Sequence, residues 1–162
     1  MALTSAQKTE LKQHINESSD LNVYPNDGAG NEQIAILLNA VSSPSFTVWR
    51  TSVIWDEVML SMDWARVDNL AVGKARIWDW MFQNIDRAFN PSMLNIRNGI
   101  DAVWVGTQAD LNVRAAVYVR CKRLANRVEN LFATGTGSDA VPAVLDFEGT
   151  VTYVDVEEAR NS

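Results

Sequence analysis

Apolar residues recur every three or four positions along two long stretches of this 162-residue chain, which is the period of an α-helix. In the first stretch they are Ala71, Ala75, Trp78, Phe82, Ile85 and Phe89. In the second they are Val113, Val117, Cys121, Leu124, Val128 and Leu131. If the second seam forms one helix, it spans roughly 39 Å at about 1.5 Å per residue. The period therefore predicts a helical bundle.

Helix-capping patterns mark where several helices begin. An N-cap side chain accepts a hydrogen bond from the backbone three residues later, and the side chain at that later position bonds back. This spacing occurs in the pairs Thr4 with Gln7, Thr107 with Asp110, and Thr152 with Asp155. We expect Asn31 to cap the second helix, and Thr51 or Ser52 to begin another that runs to Met62.

The stretch after the second seam predicts a change of structure. Gly135 suits the left-handed residue that closes a helix, and residues 141–147 alternate weakly, as a short strand does. An acidic segment follows. The sequence thus predicts a mainly α fold, a helical bundle with a short β element and an extended C-terminal arm. Its predicted domains are a helical bundle over 1–134 and a strand plus acidic arm over 135–162.

Charge is unevenly distributed along the chain. The formal net charge is −6, yet residues 108–137 hold five basic and two acidic residues, and residues 138–162 hold one basic and six acidic ones. The overall acidity argues against a general nucleic-acid binder, whose footprint is basic. No run of about 18 apolar residues occurs, and the N-terminus lacks the apolar run of a signal peptide. We expect no membrane contact and folding in a reducing cytosol.

Catalytic and ligand-binding patterns are weak. The segment from Gly135 to Ser138 lacks the lysine of a phosphate-binding loop, so turn chemistry explains its glycines better. His14 is the single histidine and reads as a solvated surface residue. Cys121 is the single cysteine and reads as a small core residue rather than a reactive thiol. We therefore expect no catalytic, metal or cofactor site, and no enzyme activity.

Two carboxylates provide the main alternative to the expectation of no catalytic or metal site. Asp146 and Glu148 would share one face of a strand, where they would hold a divalent cation or act as an acid–base pair. The polar outer face of a half-buried strand is the simpler interpretation. If the pair is functional, the chain would be a small enzyme such as a nuclease or a muramidase.

Basic residues give a sharper signal. Arg120, Arg123 and Arg127 are spaced three and four apart, so on one helix they form a ridge beside the apolar seam. Such arginines either lie along the edge of a core or bind carboxylates of a neighbour; phosphate contact is a weaker alternative. The predicted subunit or portal interface comprises Arg120, Arg123, Arg127, Pro142, Val144, Leu145, Phe147, Glu148 and Tyr153.

Several sequence segments together resemble a family of small tailed-bacteriophage proteins encoded among the head and neck morphogenesis genes. Those in the first half are Leu3-Thr4-Ser5-Ala6-Gln7-Lys8, Gly30-Asn31-Glu32-Gln33-Ile34-Ala35 and Val48-Trp49-Arg50-Thr51. Those in the second half are Leu131-Phe132-Ala133-Thr134-Gly135-Thr136-Gly137 and Pro142-Ala143-Val144-Leu145-Asp146-Phe147-Glu148-Gly149. The resemblance touches most of the chain, and residues 65–105 contribute least to it.

The resemblance implies a head–tail adaptor, also called a connector or head-completion protein. Such proteins form a homo-oligomeric ring, commonly of twelve copies, beneath the portal protein. The ring extends the DNA channel and is the docking platform for the next neck or tail protein, with DNA only as passing cargo during genome ejection. It would lie in the neck of the virion and assemble in the host cytoplasm. A tail-completion or collar protein and a DNA-binding regulator are alternatives.

Overall fold

The structure, a computed structural model, describes residues 3–162, which form nine α-helices and six short strands. The helices are α1 Ser5–Glu17, α2 Gly28–Asn39, α3 Trp55–Met59, α4 Trp64–Asp68, α5 Val72–Trp80, α6 Leu94–Val103, α7 Gln108–Arg120, α8 Arg127–Phe132 and α9 Tyr153–Asn161. The strands are β1 Thr47–Trp49, β2 Val53–Ile54, β3 Ala88–Phe89, β4 Lys122–Leu124, β5 Ala133–Thr134 and β6 Val144–Leu145. About 51% of the chain is helical and 11% is strand, which confirms the predicted mainly α fold with a small β content.

The chain divides into two compact units. Unit 1 comprises residues 1–48 and 124–162, and unit 2 comprises residues 49–123. The sequence placed a boundary near residue 134 instead. Residues 135–162, expected as an arm, belong to unit 1 in the structure.

Unit 1 is built on helix packing. Helix α9 packs against both α1 and α2, and α8 packs against α2. Residues on these helices and on the turn after α1 fill the core with aliphatic side chains: Leu11, Ile15, Leu21, Ile34 and Leu38. The C-terminal segment adds further buried residues to the same cluster: Phe147, Val151, Val156 and Ala159. These side chains explain why the segment is part of the unit, since leaving them in water costs free energy.

Unit 1 also contains a small two-stranded β-sheet. Strands β5 and β6 pair antiparallel, with Ala133 opposite Leu145, which agrees with the short strand expected at 141–147. Gly135 follows β5 with a φ of 129°, so it does not close a helix as expected. A Cβ at Gly135 would lie 3.1 Å from the Cα of Ala143, so the close approach of the two backbones favours glycine.

Unit 2 has an aromatic core. The ring of Phe82 lies 4.5 Å from that of Trp55 and 5.4 Å from that of Trp78, and Trp78 lies 5.4 Å from Trp104, all edge to face. Strands β2 and β3 pair antiparallel and place Val53 opposite Phe89 in this core. All six tryptophans of the chain lie in unit 2. The tryptophan-rich composition therefore belongs to one unit only.

The single long helix expected over 107–131 is wrong. Helix α7 ends at Arg120, and the chain continues as β4 before α8 begins. At the break, the backbone N–H of Arg50 donates to the carbonyl of Cys121 over 2.9 Å, which draws the chain into strand pairing. Cys121 and Val128, on the two sides of this break, are both buried. The apolar period of the sequence therefore marks core residues correctly, although it does not mark one helix.

The helix expected over residues 71–89 is also too long. Helix α5 ends at Trp80, and the side chain of Asn84 then bonds both the N–H and the carbonyl of Ala88. Such side-chain bonds to the backbone compete with helical ones. As a result Ile85, placed on the core stripe by its spacing, is 98% exposed.

Local capping is predicted better than helix length. The capping boxes at Thr4, Thr107 and Thr152 are all confirmed. Asn31 does not cap α2, because Asp27 does so by accepting from the N–H of Gly30 over 2.8 Å. The helix expected from Thr51 or Ser52 is shorter than predicted, since β2 comes first and α3 covers only Trp55–Met59.

Candidate interaction surfaces

The three arginines of the expected ridge lie in three different elements. Arg120 is the last residue of α7, Arg123 is in β4, and Arg127 is the first residue of α8. Without a continuous helix there is no ridge with helical spacing, so that part of the prediction is wrong.

Arg127 uses its guanidinium inside unit 1. Its Nε donates to Nε2 of His14 over 3.3 Å, and its Nη2 donates to Oδ1 of Asp20 over 3.0 Å, while Nη1 contacts the other carboxylate oxygen. This bidentate pair lowers the pKa of Asp20. Burial, and then the charge of Arg127, lower the pKa of His14 below 6.5.

His14, Asp20 and Arg127 line a groove of about 560 Å³ in unit 1. The groove also contains Ser42, whose Oγ accepts from Nδ2 of Asn130 over 2.9 Å. Since His14 Nε2 already accepts from Arg127, it is not free to take a proton from a serine hydroxyl. The arrangement is a satisfied polar network rather than a nucleophile with its base.

Arg120 lies in unit 2, where its Nε donates to Oγ of Ser61 over 3.2 Å. Its carbonyl accepts from Nη1 of Arg50 over 3.1 Å, and Arg50 also pairs with Glu57. These hydrogen bonds and the ion pair connect the end of α7 to α3, to Ser61 after it, and to the segment before β2.

The C-terminal residues of the expected interface are divided between core and surface. Pro142 and Phe147 are buried, and the ring of Phe147 lies 5.7 Å from that of Phe132. Val144 and Leu145 are half-buried in β6. Only Glu148 and Tyr153 are exposed. Packing inside unit 1 therefore accounts for most of these apolar side chains.

Unit 1 carries an acidic surface. It holds four basic and twelve acidic residues, a formal net charge of −8, whereas unit 2 holds ten basic and eight acidic residues, a net charge of +2. Each basic side chain of unit 1 has an internal partner, in the pairs Lys8 with Glu158, Lys12 with the Ser162 carbonyl, Arg127 with Asp20, and Arg160 with Asn31. The sequence showed an acidic C-terminal segment, and the structure shows that the whole unit to which this segment belongs has a negative net charge.

Unit 2 exposes a surface of large apolar and charged side chains that sequence reasoning missed. We call it the Trp80 face, and it comprises Val72, Arg76, Asp79, Trp80, Asp86 and Met93. Val72 is 75% exposed, Trp80 63% and Met93 50%. The indole of Trp80 lines two grooves, of about 440 Å³ and about 300 Å³. Exposed apolar patches of this kind mark interaction sites.

The sequence contained a signal for this face. Val72, Arg76 and Trp80 are spaced four apart, a second stripe beside the one that buries Trp78. Sequence reasoning assigned the tryptophans mostly to the core because large aromatic residues are usually buried. An apolar residue on each of two faces of a nine-residue helix was the missed indication.

No metal-binding arrangement is found in residues 3–162, where no group of three or more histidine, cysteine, aspartate or glutamate side chains converges. Cys121 is buried, and burial raises the pKa of its thiol to about 12. A thiol with that pKa is almost entirely protonated at neutral pH, and the thiolate is the reactive form. Across the same residues, every helix is too short or too polar to cross a membrane.

Comparison with protein-family models, with curated proteins and with solved structures finds no match to this chain. Function is therefore inferred from the residues and geometry of the chain itself.

Proposed function

We propose that the chain is a structural virion protein, a head–tail adaptor that forms a ring beneath the portal protein of a tailed phage. The ring would extend the DNA channel and give the tail its docking platform. The observation that carries this proposal is the contrast between the surfaces of the two units. Unit 1 has a net charge of −8 with its basic side chains paired internally, and unit 2 exposes the Trp80 face.

The acidic surface supports a position beside passing DNA. Phosphate binding requires free lysine or arginine side chains. In unit 1 the cations that phosphate would need are already held by Glu158, Asp20, Asn31 and the Ser162 carbonyl. A surface of this kind repels DNA and lets it slide, as a channel wall must during genome ejection.

The exposed apolar surface supports a role in assembly. Protein interfaces depend on a few aromatic anchors, and tryptophan is the residue most enriched among them. Trp80 and Trp64 are both more than half exposed in unit 2. An adaptor needs such anchors because it contacts the portal protein, the next neck or tail protein and its own ring neighbours.

The sequence resemblance supports the phage assignment itself. Its strongest match comprises residues 131–137 and 142–149, and in the structure these two segments contain the paired strands β5 and β6 of unit 1. A tail-completion or collar protein would share this architecture and differ only in its partners. The two positions differ in where the chain lies along the virion.

Cryo-electron microscopy of particles made from a genome that encodes this chain tests the proposal. We expect a ring of this fold directly below the portal, with unit 1 lining the channel. Density on the tail side of another neck protein would favour the tail-completion alternative instead. Purified particles that contain no copy of the chain by mass spectrometry would overturn the proposal.

Charge reversal tests the channel assignment separately. Glu10, Glu32 and Glu157 are exposed in unit 1, so changing all three to lysine raises its charge without disturbing the core. We expect normal particle numbers and slower DNA ejection at low salt, because lysines would hold phosphate. The control changes Asp56 and Asp68 of unit 2 to lysine and should leave the ejection rate unchanged. Equal ejection rates in all three particle types would contradict the channel assignment.

A further inference from the structure

The indole of Trp80 projects from unit 2. Trp80 is 63% exposed at the end of α5, whereas Trp78 on the same helix is buried in the aromatic core. A buried aromatic side chain removes about 150–250 Å² from water, and tryptophan is enriched among the residues that anchor protein interfaces. Unit 2 therefore offers a partner one large projecting ring.

Unit 1 contains a recess with both apolar and polar side chains. It is the groove of about 560 Å³ that His14 and Arg127 line. Four of its lining residues are apolar: Leu37, Ala40, Val41 and Leu131. Val41 is 64% exposed, so this wall is open to a partner. Asp20 also lines the groove, and its side chain is 54% exposed although it pairs with Arg127. The groove thus offers an apolar contact and an exposed hydrogen-bond acceptor.

Charge favours a contact between unit 2 of one copy and unit 1 of another. Unit 1 has a formal net charge of −8 and unit 2 has one of +2. Two copies of unit 1 therefore repel each other, whereas unit 2 attracts unit 1. A contact between two unlike surfaces is heterologous, and it closes into a ring when the rotation between neighbours allows.

We propose that Trp80 of one copy of this chain docks in the unit 1 groove of the next copy. The inference rests on the proposed function, because a ring of identical subunits requires a contact between two different surfaces. An indole suits the mixed lining better than an aliphatic side chain does, since its N–H requires an acceptor once it leaves water. Asp20 supplies that acceptor, because Arg127 engages each of its two oxygens only once and leaves other lone pairs free.

Nuclear magnetic resonance tests the docking through His14, which lines the groove and is the single histidine of the chain. The observed chain is Trp80→Ala with isotope-labelled histidine, which keeps the groove but has no indole to dock. The added chain is unlabelled Val41→Lys, which keeps Trp80 but has a cation in the apolar wall of its own groove. We expect the ring signals of His14 to shift and to saturate as the added chain binds.

Three further added chains are the controls. Val41→Lys combined with Trp80→Ala should leave the His14 signals unchanged. Val41→Lys combined with Trp64→Ala should bind as well as Val41→Lys does, because Trp64 is 54% exposed in the same unit but lines neither this groove nor those beside Trp80. Val41→Lys combined with Trp80→Phe should bind about 10-fold more weakly, through the loss of one hydrogen bond to a charged group. Equal affinity of the phenylalanine chain would overturn the role of Asp20, and His14 signals that do not respond to Trp80 would overturn the docking itself.

Sedimentation velocity of the purified chain, from micromolar to millimolar concentration, tests whether the contact is heterologous. The wild type should form oligomers larger than a dimer, because each copy has both an anchor and a groove. Trp80→Ala and Val41→Lys should each associate at least about 30-fold more weakly, and an equimolar mixture of the two should stop at a dimer. Far-ultraviolet circular dichroism should show the same helix content for every variant. A wild type that stays monomeric at millimolar concentration, or that stops at a dimer, would overturn the proposal.

Failure of this contact is distinguishable from failure of the proposed function. If the chain forms a ring below the portal but Trp80 does not shift the His14 signals, another surface joins the subunits and only this inference fails. If purified particles contain no copy of the chain while Trp80 docks in the groove, the proposed function fails and the contact stands.

Discussion

Unit 1 and unit 2 are of similar size, yet they achieve stability with different side chains. The core of unit 1 is mainly aliphatic and lies between helices of nine to thirteen residues, apart from the short α8. The core of unit 2 includes a chain of aromatic rings, and two of its helices, α3 and α4, have only five residues each. Short helices offer narrow apolar stripes, so large rings supply the buried area that helix length does not.

The two units also use polar groups differently. Unit 1 connects distant segments through buried polar side chains, such as Glu129, which accepts from the N–H groups of Asn126 and Gly149. In unit 2, the indole N–H groups of Trp78 and Trp104 are buried and have no hydrogen-bond partner among residues 3–162. The ring packing of unit 2 therefore tolerates two unpaired donors, although its buried Asp110 is paired with Thr107 and Arg66.

The largest expected effect tests the aromatic core of unit 2. Trp104→Ala should lower the free energy of unfolding by about 3–5 kcal/mol, because it leaves a cavity beside Trp78. Trp64→Ala, at an exposed position, should change it by less than about 0.5 kcal/mol. Urea denaturation followed by circular dichroism measures both. Similar values for the two variants would show that the buried rings contribute no more to the stability of unit 2 than an exposed tryptophan does.

A smaller effect tests the polar connection in unit 1. Glu129→Gln should cost about 1–3 kcal/mol, because an amide group replaces one carboxylate oxygen and faces a backbone donor. Glu32→Gln is the control, since Glu32 is exposed on α2. The same denaturation experiment applies. No difference between the two glutamine variants would show that unit 1 does not depend on this buried carboxylate.

Lowering the pH should test how much the paired carboxylate of Asp110 stabilises unit 2. The backbone and hydroxyl of Thr107, and then Arg66, hold the pKa of Asp110 at about 2, against 3.8 for an ordinary aspartate. The unfolded chain binds this proton more readily, so the stabilisation is complete above pH 3.8 and is lost as the pH falls toward 2. Asp110→Asn should flatten the pH dependence of stability in this window, and Asp68→Asn should not. A wild-type chain as flat as Asp110→Asn would contradict the assignment.

The smallest effect concerns His14 in unit 1. Its pKa lies below 6.5, so the unfolded chain binds the proton at higher pH than the folded chain does. Stability from this group is therefore complete above pH 6.5 and declines as the pH falls below it. Nuclear magnetic resonance of the single histidine measures the pKa directly. Arg127→Gln should raise it by removing a nearby positive charge, whereas a wild-type value of 6.5 or more would contradict the proposed burial.

Sequence reasoning succeeded where the interactions are local. The capping boxes at Thr4, Thr107 and Thr152 each involve residues three apart, and all are confirmed. The mainly α class follows from apolar periods that extend over many residues. Helix ends were missed because they depend on distant segments, such as the pairing of Val53 with Phe89, which are separated by α3, α4 and α5. Such pairing leaves no local signal.

The interaction surfaces were less predictable than the fold. The expected arginine ridge required one helix from Thr107 to Leu131, and strand β4 interrupts it. The expected arm contains Phe147 and Val156, which the structure buries in unit 1. Trp80 was missed because tryptophans were assigned mostly to the core, although its spacing from Val72 and Arg76 places it on a second face of α5. Composition alone does not decide which of several tryptophans remains in water.

The order of the two units along the chain has a consequence for biosynthesis. Unit 2 is one continuous segment, whereas α1 and α2 of unit 1 are made first and α9, which packs on both, is made after unit 2. The apolar residues Leu11, Ile15, Ile34 and Leu38 therefore emerge from the ribosome well before their helical partner exists. Unit 2 has its whole aromatic core available earlier. During translation the chain of unit 2 is therefore complete before that of unit 1, which is complete only after α9 has been made.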